Sequence, residues 1–182
     1  MLLERLGLPF EAVAPDVDET ALASEAPAAT AFRLAAAKAK SVARAYPDAL
    51  VIGSDQVADW QGQPIGKPGT HENAVAQLRA LSGHTVVFHT GVALVDAASG
   101  ACQTALVDVR STYRHLTQAE IEGYLQREQP YDCAGSVRSE SLGIALFERI
   151  ESDDPTALIG LPLIQLVRML HAAGVAVLAP PQ

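Results

Sequence analysis

The sequence predicts an α/β domain built on a mixed sheet, and three observations carry that expectation. Residues 28–46 are rich in alanine and closed by Pro47, the composition of one long helix. Residues 86–96 and 103–113 are long apolar or alternating runs joined by Ala97-Ala98-Ser99-Gly100, so they read as antiparallel neighbours. Helical and extended patterns then interleave along the whole chain, the arrangement of helices laid on a sheet. With 182 residues, 49% of them hydrophobic and 19% charged, the chain can bury one proper core.

Residues 4–10 read as the tail of a helix, with Leu2, Leu3 and Leu6 apolar, Gly7 as the stop and Pro9 beyond it. A helix whose first turn contains the initiator Met1 has no N-cap, which suggests a shortened N-terminus. A short strand is expected at 10–13. The loop at 15–20 carries Asp16, Asp18 and Glu19, a pattern that a solvated surface explains as well as a site does. The helix at 28–46 carries Arg33, Lys38, Lys40 and Arg44, and a lysine there is ordinarily a surface cation on a buried stem.

Leu50, Val51 and Ile52 read as a buried strand ended by Gly53 and Ser54, where the backbone turns and Asp55 and Gln56 emerge. Strand ends in α/β proteins are where ligands sit, although an aspartate capping a turn accounts for Asp55 equally well. Residues 57–60, a turn at Gln61-Gly62-Gln63 and the run Ile65-Gly66-Lys67-Pro68 suggest a hairpin arm that returns Lys67 toward Asp55. Thr70 caps a helix to about Leu81, and Thr117-Gln118-Ala119-Glu120 is a capping box opening another to about Glu128. Residues 130–142 form a polar loop with Asp132, Arg138 and Glu140. A strand at 144–150, a turn or short helix at 155–161, an amphipathic helix at 163–173 stopped by Gly174, and a last strand at 175–178 complete the order.

Composition narrows the function. A net charge of -8 argues against a binder of nucleic-acid polymers, which needs a basic face, yet leaves room for a small phosphorylated ligand. No apolar run is long enough to span a bilayer, and no signal-peptide pattern follows Met1, so no membrane association is expected. Cys102 and Cys133 form neither a CxxC pair nor a metal spacing, which fits a reduced, cytoplasmic setting.

Several segments, in order and in register, carry a family resemblance. Val17-Asp18-Glu19, Ala37-Lys38-Ala39, Ile52-Gly53-Ser54-Asp55-Gln56-Val57, Gly66-Lys67-Pro68, Glu72-Asn73-Ala74, Ser82-Gly83, Tyr131-Asp132-Cys133-Ala134-Gly135-Ser136 and Gly160-Leu161-Pro162 resemble the motifs of the Maf nucleotide pyrophosphatases. The resemblance covers almost the whole chain. It implies an elongated α/β sheet with flanking helices and a deep central cleft, shared with the inosine-triphosphate pyrophosphatases, as one domain over 1–182 with two lobes. It also implies splitting of a nucleoside triphosphate into monophosphate and pyrophosphate with a divalent cation, Mg²⁺ or Mn²⁺; a homodimer is common in such folds.

Gln56, together with Ser139-Glu140 and Gly143, resembles the subgroup acting on 7-methyl-GTP, whereas the dTTP/UTP subgroup usually has Thr at the position of Gln56. Methylation at N7 gives guanine a delocalised positive charge that a carboxylate such as Glu140 can offset, and Gln56 offers a donor and an acceptor to a base edge. Glu140 also reads as a plain surface acid. Family members begin with a strand and a Ser-x-x-Arg-type loop that supplies phosphate-binding groups, and this sequence shows neither. A dTTP/UTP pyrophosphatase and a non-catalytic, septum-related nucleotide-binding protein therefore stand as alternatives.

Splitting a phosphoanhydride requires charge neutralisation, a positioned water and a base. Asp55 is the expected base, and Glu19, shared with Asp55, the expected holder of the cation. Lys38 and Lys67 would pair with phosphate oxygens, and Gln56 and Glu140 would read the base. Arg138 serves as a phosphate ligand or a surface residue with equal ease.

Overall fold

The computed structural model describes residues 2–178. Alanine has the highest helix propensity, and Pro27 in the first turn loses nothing by lacking an N–H, so α1 runs Pro27–Ala43 and ends ahead of Pro47. Strand β1 follows at Leu50–Trp60 and β2 at Gln63–Ile65. Gln61 and Gly62 between them both have positive φ (57° and 81°), the pairing that a two-residue hairpin turn requires. Next come α2 (His71–Leu81), β3 (Thr85–Asp96), β4 (Cys102–Tyr113), α3 (Gln118–Glu128), β5 (Phe147–Glu151) and α4 (Leu163–Ala172). Both expected caps are present: Thr70 Oγ1 accepts from Asn73 N, and Thr117 and Glu120 form a reciprocal capping box.

The α/β expectation holds, with a sheet that is wholly antiparallel rather than mixed among the described residues. The five strands lie in the order β2-β1-β3-β4-β5, and all four pairings are antiparallel. Central β3 is buried from Phe88 to Val95 because both its faces are covered. On one face lies α1, whose Ala35 and Ala39 pack against Val51, Ala93 and Val95. On the other, Val92 and Leu94 meet Leu166, Met169 and Leu170 of α4, while Val86 and Phe88 join Leu78 of α2 and Ile121 and Leu125 of α3. Leu2, Leu3 and Leu6 of a 3₁₀ turn at Leu3–Leu6 lean on the α4 side of this core, and Gly7 ends that turn at φ 66°.

Four sequence expectations are corrected. Gly53 and Ser54 do not end a strand; β1 runs straight through them to Trp60, so Asp55 sits mid-strand. Residues 10–13 form no strand, because the chain there runs along α1, tied by Tyr46 Oη to Glu11 Oε1 (3.3 Å) and by Ser41 Oγ to the Asp16 carbonyl (3.0 Å). The strand expected at 144–150 begins only at Phe147, since a 3₁₀ helix occupies Leu142–Leu146. Residues 175–178 form no strand either: Val175 N closes the end of α4 by donating to the Leu170 carbonyl, with Gly174 at φ 85°.

A remote cap starts α4. Asp154, only 2% exposed, accepts from Ile164 N (2.7 Å) and Gln165 N (3.2 Å) at Oδ2, and from Thr156 N and Oγ1 at Oδ1. Asp154→Ala strands those donors in a dry site and is expected to cost about 3 kcal/mol, read as a lower urea midpoint. A change below about 0.5 kcal/mol would show that water replaces the carboxylate.

Candidate active site

Side chains alternate across a strand, so Gly53 and Asp55 share the α1 face of β1. Helix α1 comes unusually close to that face. A Cβ on Gly53 would lie 2.6 Å from Ala39 N, and one on Gly91, the partner of Asp55 in β3, would lie 2.8 Å from the Ala31 carbonyl carbon. Two glycines on the sheet opposite alanines on the helix let the backbones approach, and this brings Lys38 onto Asp55. Lys38 Nζ donates to Asp55 Oδ1 at 2.6 Å and to Glu19 Oε1 at 2.6 Å. Asp55 and Lys38 keep side-chain exposures of 11% and 17%, whereas Glu19 is 58% exposed. One ammonium therefore bridges a half-buried carboxylate and an open one.

The electrostatics separate the two acids. Burial pushes the Asp55 carboxyl above its ordinary range, outweighing the ammonium beside it. Glu19 is held below its ordinary value by the hydrogen bond from Lys38, which with the lesser fields of Lys38 and Lys67 outweighs the cost of burial. For Lys38, burial alone would lower its value, but its bonds to Asp55 and Glu19 prevail and raise it. A carboxyl of raised pKa beside one that stays ionised is the division of labour expected of a base and a charge holder.

The expected hairpin forms and leaves Lys67 exposed on the arm after β2, where its field reaches Glu19 and Asp132 and, among the described residues, no hydrogen bond or ion pair joins it to Asp55. Asp132 is lowered first by the hydrogen bond from Cys133, then by its own backbone amide and by Arg138 and Lys67. Arg138 donates to Asp132 Oδ1 at 3.3 Å and to the Glu128 carbonyl at 3.4 Å, so its guanidinium is engaged. Glu140 stands exposed at the tip of a tight turn closed by Gly143 N donating to the Arg138 carbonyl at 3.0 Å. A Cβ on Gly143 would lie 2.9 Å from Arg138 N, so the turn needs glycine there.

Gln56 departs from expectation. Being next to Asp55, it emerges on the opposite face of the sheet, where Nε2 donates to Thr90 Oγ1 (2.9 Å) and to the carbonyls of Ala157 (2.8 Å) and Leu158 (3.1 Å). Ser54 Oγ does the same for the Gly160 carbonyl at 2.7 Å. These side chains clamp the 157–160 segment onto the sheet, and the Gln56 amide nitrogen has no donor left for a base. The sequence reading passed over Glu25 and Ser41 and took Arg33 only as a helix cation. These three hold the 16–25 segment to α1, and Glu25 precedes the helix, so no spacing within α1 announces its pairing with Arg33.

Among the described residues, no group of three or more His, Cys, Asp or Glu side chains could hold a metal by itself. The donor set still suits a hard divalent cation. Asp55 and Glu19 already share one positive charge between their oxygens, and a Mg²⁺-like ion takes one or two carboxylates and completes its shell with phosphate oxygens and water. A hollow of about 570 Å³ lined by Val167, Arg168, His171 and Val175 contains none of these residues. No helix among the described residues is long and apolar enough to cross a membrane.

The chain is similar to proteins named 7-methyl-GTP pyrophosphatase. One from Polaromonas sp. is 64% identical over 178 residues, which is 98% of this chain and 81% of that protein. One from Albidiferax ferrireducens is 55% identical over 97% of this chain and 89% of its own length, and one from Burkholderia pseudomallei is 57% identical over 99% and 85%. The family model described as Maf-like protein matches residues 1–173. With the motifs in register, the family model matching residues 1–173 and a relative 64% identical over 98% of this chain, the chain belongs to the Maf-like protein family.

Proposed function

We propose that this protein is a nucleoside triphosphate pyrophosphatase that converts 7-methyl-GTP and water to 7-methyl-GMP and pyrophosphate. The observation that carries the reading is the Lys38 ammonium held 2.6 Å from both Asp55 and Glu19, in a chain similar to enzymes of that name.

Water adds across the anhydride between the α- and β-phosphoryl groups; one P–O bond forms, the bridging P–O bond breaks, and pyrophosphate leaves. Asp55, ionised and fixed mid-strand, takes the water's proton as the P–O bond forms. Lys38 moves from its carboxylate partners to a phosphate oxygen, and Lys67, exposed on its arm, pairs with another. A divalent cation, Mg²⁺ or Mn²⁺, would be held by Glu19 and Asp55 and would neutralise phosphate charge when bound. Glu140 offsets the positive charge of the methylated ring. The reading also takes the chain as one domain working in the cytoplasm, where its two free cysteines stay reduced, and as a homodimer.

The test is a panel of 7-methyl-GTP, GTP, UTP and dTTP assayed for pyrophosphate release by the purified chain and by Glu140→Ala. The parent is expected to favour 7-methyl-GTP. The variant should lower the 7-methyl-GTP to UTP ratio roughly fivefold, about 1 kcal/mol for one charge pair near water. Preference for UTP or dTTP would move the chain to the other substrate class, and absence of turnover on the whole panel would leave the binding-protein reading.

A further inference from the structure

We infer that Glu25 and Arg33 are a positioning pair that sets Glu19 beside Asp55, an inference that rests on the cation-holding role proposed for Glu19. Glu19 lies in a segment, residues 8–22, that contains neither helix nor strand. Something other than a ladder of backbone bonds must place its carboxylate.

Helix α1 supplies that placement from three successive turns. Arg33 Nη2 donates to the Thr20 carbonyl at 3.2 Å, Lys38 Nζ to the Glu19 carboxylate, and Ser41 Oγ to the Asp16 carbonyl at 3.0 Å. Glu19 is thus bracketed on both sides along the chain, and the Arg33 contact is the one next to it. Arg33 is itself fixed by a fork onto Glu25, with Nε to Oε1 and Nη2 to Oε2 both at 2.7 Å. Glu25 Oε2 also accepts from Leu22 N and Thr30 Oγ1, each at 3.0 Å, so the loop between Glu19 and α1 closes on a single carboxylate. A planar guanidinium makes this fork and reaches the Thr20 carbonyl at once; a lysine ammonium has the charge without the shape. The carboxyl of Glu25, held down to about 2 first by Arg33 and then by Leu22 N, stays ionised across the working pH range.

Groups that orient a metal-holding residue typically change metal affinity 10–100-fold when removed. Arg33→Lys keeps the charge and loses the fork; Glu25→Gln keeps the shape and loses the ionic partner. In both full-length variants, Mn²⁺ binding followed by electron paramagnetic resonance is expected to weaken roughly 10-fold. The Mg²⁺ concentration for half-maximal pyrophosphate release should rise in step, with kcat at saturating Mg²⁺ changed far less. Glu19→Gln serves as the reference. If Glu19→Gln weakens Mn²⁺ binding while both pair variants match the parent, the inference is wrong and the proposed function stands. A lowered melting temperature with unchanged Mn²⁺ affinity, or failure of both variants to fold, assigns the pair to structure alone. If Glu19→Gln binds Mn²⁺ like the parent, the cation site falls, and this inference with it.

Discussion

With Asp55 as the proposed base, Asp55→Asn is expected to abolish pyrophosphate release, with kcat reduced on the order of 10³-fold or more, the loss typical of a general base held in place. Asparagine keeps the size and leaves Lys38 an oxygen to bond, so 7-methyl-GTP is still expected to bind, as measured by equilibrium dialysis. The pH profile gives a second reading of the same residue. A base works only when deprotonated, so activity is present above the Asp55 pKa and is lost as pH falls through it. Without a cation, burial raises that pKa above its ordinary 3.8, and a divalent cation held by Asp55 opposes the rise, so the acid limb of kcat/KM is expected to move to lower pH as Mg²⁺ is raised. Residual activity in the variant should lack this limb. An unchanged rate, or an unchanged limb, would remove Asp55 from the chemistry.

Gly53→Ala is expected to damage both stability and turnover. The added methyl would meet Ala39 N at 2.6 Å and also the Ala35 carbonyl oxygen, both backbone atoms that no rotamer change can clear. Helix α1 must lift, at a cost of about 3 kcal/mol, which lowers Tm by roughly 6–12 °C in a domain of this size. Lys38 is adjacent to Ala39 and moves with it; a misplacement near 1 Å is worth roughly a 100-fold loss in kcat/KM. Because the obstruction is backbone, Ala39→Gly added to Gly53→Ala should restore little. Gly123 in α3 is the control: its Cβ would meet nothing within 4 Å, and Gly123→Ala should stabilise by about 0.5–1 kcal/mol. Wild-type melting and turnover in Gly53→Ala would show that the close helix–sheet approach is not rigid.

What could be read from the sequence alone is what local chemistry decides. Thr117 and Glu120 announce their helix because each satisfies the other's backbone within one turn, and the Gln61-Gly62 turn carries its own signature. The candidate site was legible in part: Asp55 and Lys38 meet, joined by Glu19, whereas the Gln56 amide turns to Thr90, Ala157 and Leu158. Gly53 was misread because the reason for glycine is a helix backbone fourteen and more residues away, which no local pattern reports. Residues 10–13 have strand composition, but composition does not supply a partner for pairing. Asp154 caps α4 from nine residues before Leu163, too far upstream for a capping pattern to reveal.

The unbroken course of β1 makes Asp55-Gln56 a two-sided rivet. One head is set into the helical layer and the other into the 157–160 segment, and no register shift can bring both to the same side. Neighbours in sequence, they are expected to answer to different demands: replacement of the first should show up in how fast the protein works, and replacement of the second in how long it lasts.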